Sequence, residues 1–209
     1  MTRPSRIVID IKALEHNFLR IKELAPNSKV MAIVKADAYG HGIVRVAKTL
    51  NNTDAFGVAC LEEAEQLRQS SIKPPIVLLE GPYKPDDLPL IIKFKLDMVI
   101  HNEYQIQLLE KTKIEGSINV WLKIDTGMHR LGFPIEKADA ILNRLLLCKN
   151  INSRPILMTH LATANEKKNN LTQQQLEAFK KISKIIDGEK TVANSAALIN
   201  FPEAHFDWV

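Results

Sequence analysis

Apolar residues follow two alternating rhythms along this chain. Short runs rich in branched side chains, bounded by turn-forming residues, give way to longer stretches where apolar positions return every three or four residues. Residues 7–10 read as a short strand, with Asp10 as N-cap of a helix from Lys12 to about Leu24 whose face carries Leu14, Phe18, Ile21 and Leu24. Residues 30–34 form the next expected strand, and Ile43, Val46, Ala47 and Leu50 mark the helix behind it. Further strands are expected at 55–59, 76–79, 98–100, 120–124, 155–158 and 191–193, separated by helices over 62–69, 88–92, 104–110, 138–147 and 172–186.

Strict alternation of this kind implies parallel strands joined by helical crossovers, and the continuous apolar strand runs imply a sheet covered on both faces. A doubly wound sheet and a closed barrel both satisfy the pattern. Gly40-His41-Gly42 lacks the third glycine of a dinucleotide fingerprint, and no acid follows at a ribose-binding spacing. The number of units therefore favours an α/β fold of the (β/α)8 TIM-barrel type. No linker, repeat or low-complexity tract interrupts it, so residues 1–209 read as one domain. A full eight-fold barrel usually takes about 250 residues, so the last strand–helix unit is expected to be lacking.

Composition narrows the function classes. With 45% apolar and 25% charged residues, the chain can bury a core and is not disordered. The charge of +4 arises from 28 basic against 24 acidic residues, which are interleaved, and only 6% of residues are aromatic. A nucleic-acid surface would cluster basic groups with stacking aromatics, whereas Lys180, Lys181 and Lys184 fall on the polar face of one helix. Cys60 and Cys148 stand far apart in no metal-spaced motif, which fits a reducing cytoplasm. No signal-peptide core follows the N-terminus, and no apolar run approaches the roughly 20 residues that cross a bilayer. A soluble, cytoplasmic protein without nucleic-acid or membrane partners is expected.

In a βα barrel the working residues sit where strands end and βα loops begin. Reading only those positions gives Lys35 and Tyr39 after the strand at 30–34, Lys123 and Arg130 in and after the strand at 120–124, His160 after 155–158, and Asn194 and Ser195 after 191–193. A lysine abutting an apolar run is desolvated, and its neutral amine is a Schiff-base nucleophile; equally, Lys35 could snorkel to solvent. Arg130 could pair with a carboxylate or polarise a ring oxygen, or be a surface residue. His160 could stack on or hydrogen-bond a ligand, or be a satisfied core histidine. Hydroxyl and amide donors after the seventh strand suit a phosphate. A Schiff-base lysine, an arginine and a phosphate cradle on one barrel mouth are the equipment of a pyridoxal-phosphate site.

At these same positions the chain resembles a known family. Ala32-Ile-Val-Lys-Ala-Asp-Ala-Tyr-Gly-His-Gly42 resembles the lysine signature of alanine racemases, and Lys123-Ile-Asp-Thr-Gly-Met-His-Arg-Leu-Gly132, Thr159-His-Leu-Ala-Thr-Ala164 and Ala193-Asn-Ser-Ala-Ala197 are similar to later motifs of that family in the same order. The resemblance implies that Lys35 holds pyridoxal 5'-phosphate as a Schiff base and is the acid/base on one face of the substrate. It implies that Tyr39 and Ser195 bind the phosphate, with Asn194 beside them. Arg130 would contact the cofactor ring oxygen and the substrate carboxylate, and His160 would pack against the ring. Lys123 corresponds to a lysine carbamylated in some members, and His129 stands where many carry glycine.

The resemblance also implies what the chain does not carry. Family members add a C-terminal β domain, whose tyrosine is the opposite-face base in the partner subunit of a homodimer. The expected function is pyridoxal-phosphate-dependent interconversion of L- and D-alanine, supplying D-alanine for peptidoglycan, with this N-terminal barrel portion showing little activity alone. A non-catalytic pyridoxal-phosphate-binding barrel of the cofactor-homeostasis type is the alternative. A barrel that cannot close is a third, and its open edges would expose unpaired backbone.

Overall fold

The computed structural model describes residues 7–209. Strands and helices alternate through the chain. α1 (Ile11–Leu24) precedes β1 (Met31–Ile33), α2 (Lys35–Gly40), α3 (Ile43–Thr49), β2 (Ala55–Val58), α4 (Leu61–Gln69), β3 (Ile76–Leu78), α5 (Asp87–Lys93), β4 (Leu96–Ile100) and α6 (Glu103–Lys111). Then come β5 (Val120–Asp125), β6 (Phe133–Pro134), α7 (Ala138–Leu146), β7 (Ile156–Met158), α8 (Leu171–Ser183), β8 (Lys190–Thr191) and α9 (Ser195–Asn200). The sheet order is β1-β2-β3-β4-β5-β7-β8, all parallel, with short β6 pairing β5 through Ile124 and Phe133.

One sequence expectation changes. Residues 7–10 form no strand: no neighbour among the described residues offers them a ladder, and Ile7 and Val8 are 85% and 76% exposed. The Asp10 cap is present, its carboxylate accepting from the Ala13 amide at 3.0 Å. At the eighth strand position, expected to lack a full strand–helix unit, a short bridged segment stands in place of a strand. Residues 207–209 span it, with Trp208 bridging Lys29 on one side and Thr191 on the other. The Trp208 amide donates to the Lys190 carbonyl (3.1 Å), while the Lys29 and Met31 amides donate to the Asp207 and Val209 carbonyls (both 2.8 Å). Both edges of the sheet are therefore paired, and the ring closes.

Side chains alternate across a strand, which divides the apolar residues into two cores. Leu122 and Ile124 of β5 face outward and pack with Leu145, Leu176 and Phe179 of the surrounding helices. Trp121, between them in phase with the interior, packs with Ala55, Val77, Val99, Met158 and Trp208. The rings of Trp121 and Trp208 meet edge to face with centroids 5.1 Å apart. Asp97 accepts there from the Trp121 indole (3.2 Å) and the Asn119 amide (3.0 Å). The lower interior is thus filled, and side chains that project inward nearer the strand C-terminal ends meet at the mouth.

Candidate active site at the barrel mouth

A cavity of about 740 Å³ opens at the mouth, and Lys35, Tyr39, Lys123, Arg130, His160, Asn194 and Ser195 all line it. All seven positions singled out from the sequence come together, delivered by the ends of β1, β5, β7 and β8 and the segments after them.

Lys35 directly follows the buried Val34 and opens α2. That turn is left-handed, with φ of 52°, 54°, 53° and 54° at Ala36, Asp37, Ala38 and Tyr39. Such a conformation costs L-residues roughly 1–2 kcal/mol each, so the surroundings must hold it. The Ala38 amide donates to the Val34 carbonyl (2.8 Å) and the Gly42 amide to the Asp37 carbonyl (2.9 Å). The Asp37 carboxylate accepts from the Ile43 amide at 2.7 Å, tying the turn to the start of α3. Glu63 of α4 contributes both oxygens, accepting from the Ala36 amide (2.6 Å) and the Ala59 amide (2.8 Å). It thereby joins the loops after β1 and β2 beside Lys35.

The loop after β5 is built on Asp125. Its carboxylate accepts from the amides of Gly127 (2.9 Å) and His129 (3.0 Å), and the His129 ring lies 3.1 Å away. Burial pushes this carboxyl up, but those bonds outweigh it and hold it below the usual carboxylate range. Gly132 closes the loop at φ 123°, where a Cβ would lie 2.7 Å from the Asp125 amide nitrogen. No side chain fits there. Arg130 stands exposed between these two fixed points. The loop after β7, carrying His160, is joined from below: the Thr126 and Thr159 hydroxyls are 2.8 Å apart, and Gln175 of α8 contacts both loops.

The mouth is electropositive. Burial, followed by the charges of Arg130 and Lys35, pushes the Lys123 ammonium down to about 8. Burial and the charges of Lys123, Arg130 and Lys35 push His160 down to about 4, so its ring is neutral at physiological pH. Among the described residues, neither Lys35, Lys123 nor Arg130 takes part in an ion pair. Glu80 also lines the cavity but pairs with none of the three cations, and their excess of positive charge suits an anionic ligand. The Asn194 side chain is already engaged: its oxygen caps α9 through the Ala197 amide (3.0 Å) and its nitrogen donates to the Leu161 carbonyl (3.1 Å). Ser195, one residue on, begins that helix.

Sequence reasoning did not single out Glu63 or Gln175. Glu63 is an acid in the first turn of the helix after β2, a position usually read as helix-dipole matching. Gln175 is the polar interruption of an apolar stripe formed by Leu171, Leu176, Phe179 and Ile182, and that interruption was the available signal. No group of three or more His, Cys, Asp or Glu among the described residues could hold a metal ion, and no helix of the described residues is long and apolar enough to cross a membrane.

A parallel βα barrel with lysines, an arginine and a neutral histidine at the strand C-terminal ends defines a barrel built to hold a small anionic ligand at its mouth. The chain belongs to the alanine racemase family: the family's N-terminal domain (Alanine racemase, N-terminal domain) matches residues 9–209. It is 45% identical over 209 residues to alanine racemase of Shewanella denitrificans, covering 98% of this chain and 57% of that protein. With the biosynthetic alanine racemase of Escherichia coli K12 it shares 44% identity over 203 residues, 97% of this chain and 56% of the other. Among solved structures, biosynthetic alanine racemase from Pseudomonas aeruginosa superposes with a TM-score of 0.92 at 38% identity, over 96% of this chain and 56% of that one. The chain thus spans rather more than half the length of these relatives. The family is pyridoxal-phosphate-dependent, and the unpaired cations and neutral histidine fit that group's phosphate, phenolic oxygen and aromatic ring.

Proposed function

We propose that this chain is the cofactor-binding barrel of an alanine racemase, interconverting L- and D-alanine in a cytoplasmic homodimer and supplying D-alanine for peptidoglycan. The observation that carries this reading is the convergence of Lys35, Lys123 and Arg130 on one cavity without an acid partner among the described residues. When bound, pyridoxal phosphate supplies an electron sink that makes the α-proton of an amino acid acidic.

The chain's own residues have divided tasks. With the cofactor bound, Lys35 would hold it through the aldehyde carbon, and its Nζ, once displaced by the substrate amine, would take and return the α-proton on one face of the substrate. Arg130 would hold the substrate carboxylate and the ring oxygen. His160, neutral and flat, would pack against the ring without adding charge. The Tyr39 and Ser195 hydroxyls would donate to the phosphate, and Asn194 would act by fixing the start of α9 where Ser195 sits. Lys123, with its pKa near 8, presents enough neutral amine to take up carbon dioxide as a carbamate, whose negative charge would neutralise and orient Arg130. Racemisation needs a second base on the opposite face. That base is assigned to a partner-subunit tyrosine in the part of the family that this chain does not span, so the chain alone should turn over little alanine.

The test is to incubate the chain with pyridoxal phosphate, reduce with borohydride and map the adduct. Labelling concentrated at Lys35 is expected. Labelling spread over surface lysines, or none, overturns the reading. If Lys35 is labelled but a longer form with the C-terminal domain fails to racemise alanine, the non-catalytic barrel replaces the enzyme.

A further inference from the structure

The geometry points to Gln175 as a positioning residue that fixes the Arg130 loop and the His160 loop to one another, so that cofactor capture at the mouth depends on a side chain that does not touch the cavity. This inference rests on the site reading above.

Gln175 is 0% exposed, and each polar atom of its amide is engaged. Oε1 accepts from the Ala162 amide at 2.9 Å, while Nε2 donates to the His160 carbonyl at 3.0 Å and to the Thr126 hydroxyl at 3.2 Å. Thr126 begins the loop that carries Arg130; His160 and Ala162 belong to the loop after β7. The contact continues downward, because the Thr159 hydroxyl lies 2.8 Å from that of Thr126 and donates to the Ile124 carbonyl at 2.9 Å. Among the described backbone hydrogen bonds, none joins residues 126–132 to residues 160–164. The two loops are therefore tied to each other through side chains, directly by the Thr126 and Thr159 hydroxyls and from α8 by Gln175, which bonds to both.

The apolar part of the side chain serves the same end. A Cβ on Gly127, whose φ is 138°, would lie 3.3 Å from Gln175 Cγ, so the Arg130 loop rests directly on the glutamine stem. An apolar residue of similar size at position 175 would keep that rest. It would leave the Ala162 amide and the His160 carbonyl without this partner, each costing on the order of 1–3 kcal/mol, while the Thr126 hydroxyl would keep only its bond to Thr159. A stability argument alone would favour an apolar residue on this stripe only if those three groups were absent. Their presence in the two ligand-bearing loops gives the glutamine its purpose.

Substituting Gln175→Glu separates positioning from mere stability, because the shape is kept and the donors are lost. At alkaline pH the new carboxylate would face the His160 carbonyl, pushing the two loops apart. When protonated, the acid regains an O–H that can donate to that carbonyl. In the full chain, pyridoxal phosphate affinity, read by borohydride trapping at Lys35, is expected to fall about tenfold relative to wild type at pH 8, with the ratio recovering toward one near pH 6. A Thr126→Val variant, which removes one acceptor of the same amide, is expected to lose three- to tenfold and to show no recovery with acid. A ratio near one for Gln175→Glu at both pH values would overturn the inference. So would a defect equal at both values in a variant whose circular dichroism matches wild type. If Gln175→Glu does not fold, Thr126→Val binding like wild type overturns it instead. A wild-type chain that fails to trap cofactor at Lys35 at either pH brings down the site reading, and this inference with it.

Discussion

Along β5, Trp121 and Lys123 both project into the barrel, two residues apart, yet their surroundings obey opposite rules. Trp121 is 1% exposed, packed edge to face on Trp208 and hydrogen-bonded to Asp97. Both carboxylate oxygens of Asp97 there accept a hydrogen bond, one from Asn119 and one from Trp121. Lys123 shares its environment with two other cations and finds no carboxylate among the described residues within ion-pair distance. One end of the interior is filled and satisfied; the other is hollow, charged and held open by clamps such as Glu63, Asp125 and Gln175. A closed parallel barrel tolerates this because its lower core and helix layer carry the stability. The mouth can then be arranged for a ligand instead of for the apo fold.

If that division is right, removing a large side chain from the filled end should have the largest effect. Trp121→Ala is expected to cost about 3–5 kcal/mol, since it opens a cavity among Val77, Val99 and Trp208 and takes a donor from Asp97. Urea unfolding of the chain checks it. A loss below about 1 kcal/mol would mean that the lower core is not what holds the ring.

The mouth should respond with the opposite sign. Lys123→Met removes a desolvated cation from between Arg130 and Lys35 and is expected to stabilise the apo chain by on the order of 1 kcal/mol, while weakening cofactor capture. The pH dependence sharpens the contrast. Lys123 has a folded pKa near 8 against an ordinary 10.5, so its contribution to stability is present above 10.5 and is lost as pH falls toward 8. His160, near 4 against 6.5, behaves alike one step lower: its contribution is lost as pH falls from 6.5 to 4. Asp97 at the filled end has a raised pKa, owing mainly to burial, so its contribution is present at low pH and lost as pH rises through the folded value. Thermal melts across pH 8–10.5 should therefore show a slope in wild type that Lys123→Met abolishes. A slope of equal size in the variant would show that the mouth is not electrostatically loaded as described.

Much of this layout was legible in the sequence, for reasons specific to each element. The strand–helix rhythm is written in branched runs and helical stripes, so β2 to β5 and β7 fall where the apolar pattern places them, whereas the two-residue β6 was not expected. The rim residues follow from strand ends alone, which is why all seven meet in one cavity. The left-handed turn at 36–39 was not legible, because Ala36, Asp37, Ala38 and Tyr39 carry no glycine to announce a positive φ; long-range bonds from Glu63 impose it. The apolar run at 7–10 looked like a strand because period and propensity cannot say whether a neighbour exists to pair with. The resemblance placed the start of the eighth strand at Phe206–Val209, but that so short a segment closes the ring was not legible. Three residues are too short a run to read as a strand, yet Trp208 needs only two flanking edges and a tryptophan partner to seal the ring.

The smallest expected effect lies at the border between the two regimes. His129 sits at φ 56°, a conformation glycine adopts without strain. His129→Gly would relieve roughly 1 kcal/mol of backbone strain, but it also frees an unfolded chain of greater entropy and removes the ring that lies 3.1 Å from Asp125. The amide bonds from Gly127 and residue 129 to Asp125 survive the change, since both are backbone donors. The opposing terms are of similar size, so stability is expected to stay within about 0.5 kcal/mol of wild type, and borohydride trapping at Lys35 is expected to change less than twofold. A larger loss of trapping at unchanged stability would show that the histidine ring itself holds Arg130 in place. The open mouth would then rely on side-chain pairing at its rim as well as on the backbone clamps beneath it.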